Sequence, residues 1–481
     1  MTPAGHAGLN RELVRRHLGH RELAAVVEGG VPLAGLLHAR LELRVLDVRL
    51  LLGRAGEVAA AAQRLAAACD EDALPELAGE SLGLLAEASL MLSRYAEMDR
   101  ASRRAMEICR RIGDKAGEAS RCNALGVALE DTGRPEQGLD CYRRALALYR
   151  ALGDADGVGR SLVNIATVTG GLGSADEAER TFLEAIATLE RGTDLVNLAF
   201  AHSNYSVLLA RLGRWEERRR HLEESRRIRE RIGDRYGLGF SLSNMACDLL
   251  RQGSWQEGER MLADAIALRR SIGERKFLAG DLASLGALRR EQLRLEEARM
   301  LLQQAAAMAR ELADGRLGAI ALLRLALVHC DQERWAEAES RLDEAAAAEP
   351  SSSQWPAARL AAARCAAARG GQAQAMALLD GLLDSEGGQA GPWRTEACLA
   401  LAAAMAAGGQ AAGAKSQFER AVELARSDQG VYHLGVALFR LGEWGKQEGQ
   451  TWGEPLARAE EIFSRLGATA WLERISLLRM S

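Results

Sequence analysis

The sequence predicts an all-α solenoid built from helical hairpins, and three observations carry that reading. The first is a period of forty residues. Acids stand in register at Asp114, Asp154, Asp194, Asp234, Glu274 and Asp314, and a small residue follows each by twelve positions, at Gly126, Ala166, Ser206, Ala246, Gly286 and Ala326. A fixed period between about twenty and fifty residues marks stacked repeats, each unable to bury its apolar face alone. The second is composition: proline is scarce (8 residues), aromatics make up 4%, and no β-branched alternation is long enough for a sheet. The third is punctuation, with turn glycines at Gly133, Gly173, Gly213 and Gly253 between amphipathic stretches.

One unit, residues 115–154, shows how each element arises. Cys122, Leu125, Val127 and Leu129 give residues 118–131 near-helical apolar spacing. Gly133 stops that helix, and Pro135 falls where a first-turn proline lacks no needed N–H. A second helix follows with Cys141, Tyr142, Ala145, Leu146, Leu148 and Tyr149 on one face. Gly153 closes it, and Asp154 offers an N-cap to the next unit. The second helix repeats its own pattern: small at Gly138, Ala178, Gly258, Ala298 and Ala338, large at Tyr142, Phe182, Leu222, Leu262, Leu302 and Leu342, and small again at Ala145, Ala185, Ser225, Ala265, Ala305 and Ala345. Small residues let helices approach closely while large ones fill the groove between neighbouring pairs.

The spacing of the three small sites, twelve residues and then seven, resembles the tetratricopeptide repeat (TPR). So do the leucine before the first site (Leu125, Leu285, Leu325) and the aromatic after the turn (Trp215, Trp255, Trp335). The forty-residue spacing is similar to the long variant in kinesin light chains and bacterial regulators. That resemblance implies a right-handed α–α superhelix of about ten or eleven hairpins. We expect an N-terminal helical cap over 1–33, a regular array over 34–349, divergent repeats over 350–468 and a capping helix over 469–481. Residues 349–356, with Pro350 and Pro356, predict a longer inter-repeat loop, with a hinge as the alternative, and residues 387–392 a weaker break.

Net charge is −4, which gives no global drive towards nucleic acid or an anionic membrane. No segment approaches the roughly 18 apolar residues of a membrane helix, so the chain reads as cytoplasmic. Eight cysteines lie scattered without a Cys-x-x-Cys pair and read as small buried hydrophobes in a reducing compartment. His17 and His20 have helical metal spacing but no third ligand, and His202 and His329 replace core leucines of sister repeats. No phosphate loop or catalytic constellation stands out. The expectation is a non-enzyme without cofactor or metal.

Candidate binding residues lie on the first helix of each pair, which the resemblance places on the inner surface of the superhelix. An asparagine column runs through Asn164, Asn204 and Asn244, with Ser284 continuing it and Asn123 one residue out of step. A carboxamide both donates and accepts, so such a column suits the backbone of an extended peptide. Asparagines matching these positions contact ligand backbone in kinesin-light-chain-like repeats. The alternative is that each bonds a neighbouring helix in the stack. Phe200, Phe240, Arg160 and Arg324 are further inner-face candidates. The unit 195–234 breaks the pattern: Arg218 stands at a small site, and Arg218, Arg219 and Arg226 belong to an arginine-rich stretch. That stretch reads either as a self-neutralised face of i,i+4 pairs or as a basic patch for an acidic partner.

The chain is therefore expected to be a scaffold or adaptor that holds a peptide segment or partner protein, in bacterial regulation or complex assembly. Self-association through its terminal repeats is a further expectation. A peptide-sensing receptor and a subunit scaffolding a catalytic partner are the alternatives.

Overall fold

The structure is a computed structural model that describes residues 33–51, 55–69, 71–92, 94–383, 391–427, 430–450 and 452–480. The cap expected over 1–33 (Leu33 excepted), the His17/His20 pair and most of the 387–392 break lie outside them. The chain divides into two compact units, Met1–Ile228 and Arg229–Ser481.

In the first unit the helices run α1 (Leu33–Leu51), α2 (Ala55–Ala68), α3 (Pro75–Met91), α4 (Tyr95–Ile112), α5 (Lys115–Asp131), α6 (Pro135–Leu152), α7 (Ala155–Gly171), α8 (Ala175–Leu189) and α9 (Leu195–Arg211), with α10 (Trp215–Ile232) carrying the division in its last turn. The second holds α11 (Arg235–Arg251), α12 (Trp255–Ile272), α13 (Lys276–Glu291), α14 (Leu295–Glu311), α15 (Gly315–Asp331) and α16 (Trp335–Ala348). It continues with α17 (Pro356–Ala368), α18 (Gln372–Leu383), α19 (Gly391–Ala407), α20 (Ala411–Ser427), α21 (Val431–Gln447), α22 (Gly453–Leu466) and α23 (Thr469–Met480). Helices pair as hairpins in chain order, and α23 follows the last pair. Among the described residues all regular structure is helical. The residues after α16 form a short 3-10 turn, Pro350–Gln354, as befits a longer loop.

The periodic residues do what their chemistry suggests. Asp114, Asp154, Asp194, Asp234 and Asp314 each cap a helix by accepting the N–H three residues on, at 2.8–3.0 Å. Glu274 reaches the same kind of helix start, accepting from Phe277 at 3.1 Å. These bonds satisfy N–H groups the helix leaves orphaned. The small sites are buried, and a Cβ added to Gly126 would come 2.4 Å from Tyr142 Cε1. That is too close for any side chain.

Left-handed turns recur every twenty residues: φ is +75° at Gly133, +70° at Gly153 and +71° at Gly213. The same turn is held without glycine at Leu293 (59°), Ala313 (53°) and Glu333 (58°). Register and packing impose it there against the intrinsic preference of the residue.

The second unit closes on itself. Trp471 on α23 donates its indole N–H to the Glu291 carbonyl at the end of α13, at 2.9 Å. Trp255 on α12 meets Tyr432 on α21 with ring centroids 5.5 Å apart. One apolar cluster runs from Ala246 to Ile475 and includes both ends of the unit.

Candidate interaction surface

Within each unit the first helices of successive hairpins touch, so residues of the asparagine column face their neighbours. In the first unit two asparagines are engaged in that stack. Asn123 Nδ2 donates to Ser161 Oγ at 3.2 Å and its Oδ1 lies 3.3 Å from the same hydroxyl. Asn204 Nδ2 donates to Thr167 Oγ1 at 3.2 Å. Both reach α7, from opposite sides. Asn164, on α7 itself, is half-buried and has no hydrogen bond to a described neighbour. The same holds for Asn244 and Ser284 in the second unit. The column thus divides into residues that join helices and residues that remain available.

Arg160 lies 3.9 Å from Asp194 and its guanidinium carbon 5.7 Å from the Tyr149 ring centre. Phe200 is half-buried on α9. Phe240 belongs to an aromatic cluster in the second unit: its ring centre is 4.3 Å from that of Phe277 and 5.3 Å from that of Tyr236. Tyr236 is exposed at the edge of this cluster. Beneath it, the buried Arg269 lies 4.8 Å from the Phe240 ring centre and donates to Asp281 at 2.7 Å. A cation over aromatic faces is attracted by their quadrupoles. Phe240 is therefore one member of a built aromatic surface. Arg324 is half-buried, and burial holds its guanidinium below the ordinary arginine value while Cys247 and Glu291 act to raise it.

Some charges of the arginine-rich unit pair within their own helix. Arg219 pairs with Glu216 at 2.9 Å and Glu223 at 3.7 Å, and Arg227 with Glu224 at 3.3 Å. Several of these are i,i+3 contacts where the sequence suggested i,i+4. Arg226 is half-buried. Arg218 is buried, donating to the Ser206 carbonyl at 2.8 Å, so its charge faces the hairpin interior and not a surface patch.

Two features had no signal in the sequence pattern. His202 Nδ1 lies 2.8 Å from His221 Nδ1, with Tyr205 edge-on to His221 at 4.7 Å. His202 reads as a core filler from sequence, and it is buried; its partnership is what was missed. The second is a cavity of about 940 Å³ in the second unit, lined by helices from α13 to α23. A chain of charges crosses its wall: Arg364 to Asp331 at 2.7 Å, Asp331 to Arg290 at 2.6 Å, Arg290 to Glu396 at 3.0 Å and Glu396 to His433 at 3.8 Å. Burial acts to raise the Glu396 carboxyl, but Arg290 and His433 outweigh it and hold it well below the ordinary range. Burial raises the nearby Glu291 carboxyl instead. The lining also includes Ala363, Ala367, Ala400, Ala403 and Ala404.

No helix among the described residues is long and apolar enough to cross a membrane. Cys247 is exposed, unlike the buried hydrophobe its spacing suggested, and five of the other cysteines are buried.

Comparison with known proteins gives two family matches. A sequence model described as tetratricopeptide repeat matches residues 119–191 and 197–271. One described as anaphase-promoting complex subunit 5 matches residues 316–353 and 389–447. No curated protein matches. Among solved structures, BtubC (BKLC) from P. vanneervenii is 19% identical, with 47% of this chain and 92% of that one covered and a TM-score of 0.37. A signal transduction ATPase with a tetratricopeptide repeat sensor from Pyrococcus horikoshii is 15% identical over 82% of this chain and 54% of its own, with a TM-score of 0.43. IFIT1 with m7Gppp-AAAA is 14% identical over 80% and 89%, with a TM-score of 0.45. The forty-residue hairpins, their buried small sites and the matched segments together show that this chain carries tetratricopeptide repeats, over residues 119–191 and 197–271.

Proposed function

We propose that this chain is a non-catalytic interaction scaffold that holds a partner protein on the first-helix faces of the hairpins within each of its two units. The observation that carries this reading is the contrast within the asparagine column. Asn123 and Asn204 serve the stack, while Asn164 and Asn244, in the register of Asn204, stand half-buried with unpartnered carboxamides. A carboxamide so held meets a peptide N–H and C=O without reorganising. The aromatic surface around Phe240, with Tyr236 exposed, would supply an apolar anchor in the second unit. A regulatory or assembly role in the cytoplasm of a bacterium fits the cysteine usage and the family resemblance.

Affinity capture with the full chain, wild type against Asn164→Ala/Asn244→Ala, tests this. A partner held by wild type and lost by the folded variant supports the scaffold. A partner held equally by both contradicts it.

A second reading, a receptor for a small ligand or short peptide, draws on the 940 Å³ cavity of the second unit. Its charges already pair with one another, which makes it the weaker of the two.

A further inference from the structure

Cys330 and Cys365 lie on α15 and α17, the first helices of consecutive hairpins, with their sulfurs 3.9 Å apart. Both are buried. The residues beside them in sequence, Asp331 and Arg364, form an ion pair at 2.7 Å. That pair pins the two helices at the level of the thiols. Cys330 also lines the 940 Å³ cavity, the side from which a small oxidant would approach the pair.

We propose that Cys330 and Cys365 form an oxidation-sensitive dithiol that hydrogen peroxide converts to a disulfide within the second unit. One sulfur, as thiolate, attacks the O–O bond, which breaks; a water leaves and a sulfenic acid forms. The second sulfur then attacks the first, the S–O bond breaks, the S–S bond forms and a second water leaves. Two thiols lose two electrons and two protons in total, and one peroxide is reduced to two waters. Whichever sulfur reacts first, the other is in place. Closing the bond brings the sulfurs together by about 1.9 Å, from 3.9 Å to the roughly 2.0 Å of a disulfide. Side-chain rotation and a small approach of α15 to α17 accommodate that. Since Asp331 and Arg364 ride on the same two turns, the bond repositions the hub of the cavity's charge chain. Oxidation thereby couples to the shape of the cavity.

The test is peroxide treatment of the full chain, followed by alkylation of free thiols, digestion and mass mapping. Exposed Cys247 reports that oxidant is present, and far-UV circular dichroism reports that the fold is intact. The expected result is a peptide pair joining Cys330 to Cys365, lighter by two hydrogens, reversed by dithiothreitol and absent in Cys365→Ser. Free Cys330 and Cys365 at doses that fully oxidise Cys247 would overturn the proposal. So would a link that appears only after helicity is lost. Mapping the wild-type chain decides the matter even where Cys365→Ser fails to fold.

Discussion

The indole N–H of Trp471 donates to the backbone carbonyl of Glu291 at 2.9 Å across 180 residues of sequence. Trp471 is buried and stacks on Phe463 with centroids 5.0 Å apart. The bond satisfies one of the carbonyls that α13 leaves orphaned at its end. It also ties the last helix of the second unit to one of its first hairpins. Trp471→Phe keeps an aromatic ring but removes the donor and part of the indole, so it should cost at least about 1–2 kcal/mol. Trp471→Ala should cost about 3–5 kcal/mol by opening a cavity. Urea unfolding followed by hydrogen exchange should show the loss in the second unit, with peptides of the first unit unchanged.

The His202–His221 pair makes the first unit acid-sensitive. Burial depresses the His202 pKa to about 4, with His221 adding to the effect, and burial likewise lowers that of His221. Above the unfolded value of about 6.5 neither state binds the proton and stability is flat. As pH falls from about 6.5 to about 4, the unfolded chain takes up protons that the folded chain refuses, and stability declines. The shift at His202 alone amounts to roughly 3 kcal/mol over that window. A singly protonated pair still shares a hydrogen bond, whereas two protons on facing Nδ1 atoms repel. Melting curves from pH 7.5 to 4 should show the decline in wild type and a shallower slope in His202→Leu. Equal slopes would contradict this account.

The left-handed turns at Ala313 and Glu333 lack glycine. A left-handed conformation costs an L-residue about 1–2 kcal/mol, while glycine's added unfolded-state entropy returns about 0.4–1 kcal/mol of that. Ala313→Gly should therefore raise stability by roughly 0.5–1 kcal/mol, read as a shift in the second unit's urea midpoint at unchanged slope.

Asn204 and Asn164 look equivalent in sequence but should differ on substitution. Asn204→Ala removes the bond to Thr167 and should cost about 0.5–1.5 kcal/mol. Asn164→Ala breaks no described bond and should stay within about 0.5 kcal/mol of wild type. Thermal denaturation of the two variants side by side checks the contrast.

The hairpins were legible in sequence because their signals are local and repeated. Each aspartate cap is decided within three residues, and each small site by one neighbouring helix. The asparagine column was legible as a register, but not its division into stacking and available members. That division depends on whether Ser161 or Thr167 stands opposite, one repeat away. The Trp471–Glu291 bond and the charge chain around Arg290 were not legible at all. They join repeats far apart in the chain, where period carries no information. Arg218 was visible as a violation, but not the Ser206 carbonyl that its guanidinium reaches inside the hairpin.

The most direct measurement is titration of the captured partner segment against four single variants, Asn123→Ala, Asn164→Ala, Asn204→Ala and Asn244→Ala, by calorimetry. Losing one good hydrogen-bond pair is worth about 1.4 kcal/mol, or tenfold in affinity. The scaffold account predicts about that loss for Asn164→Ala and Asn244→Ala, with Asn123→Ala and Asn204→Ala near wild type. Unchanged affinity for Asn164→Ala and Asn244→Ala would contradict it and place the partner elsewhere on the chain.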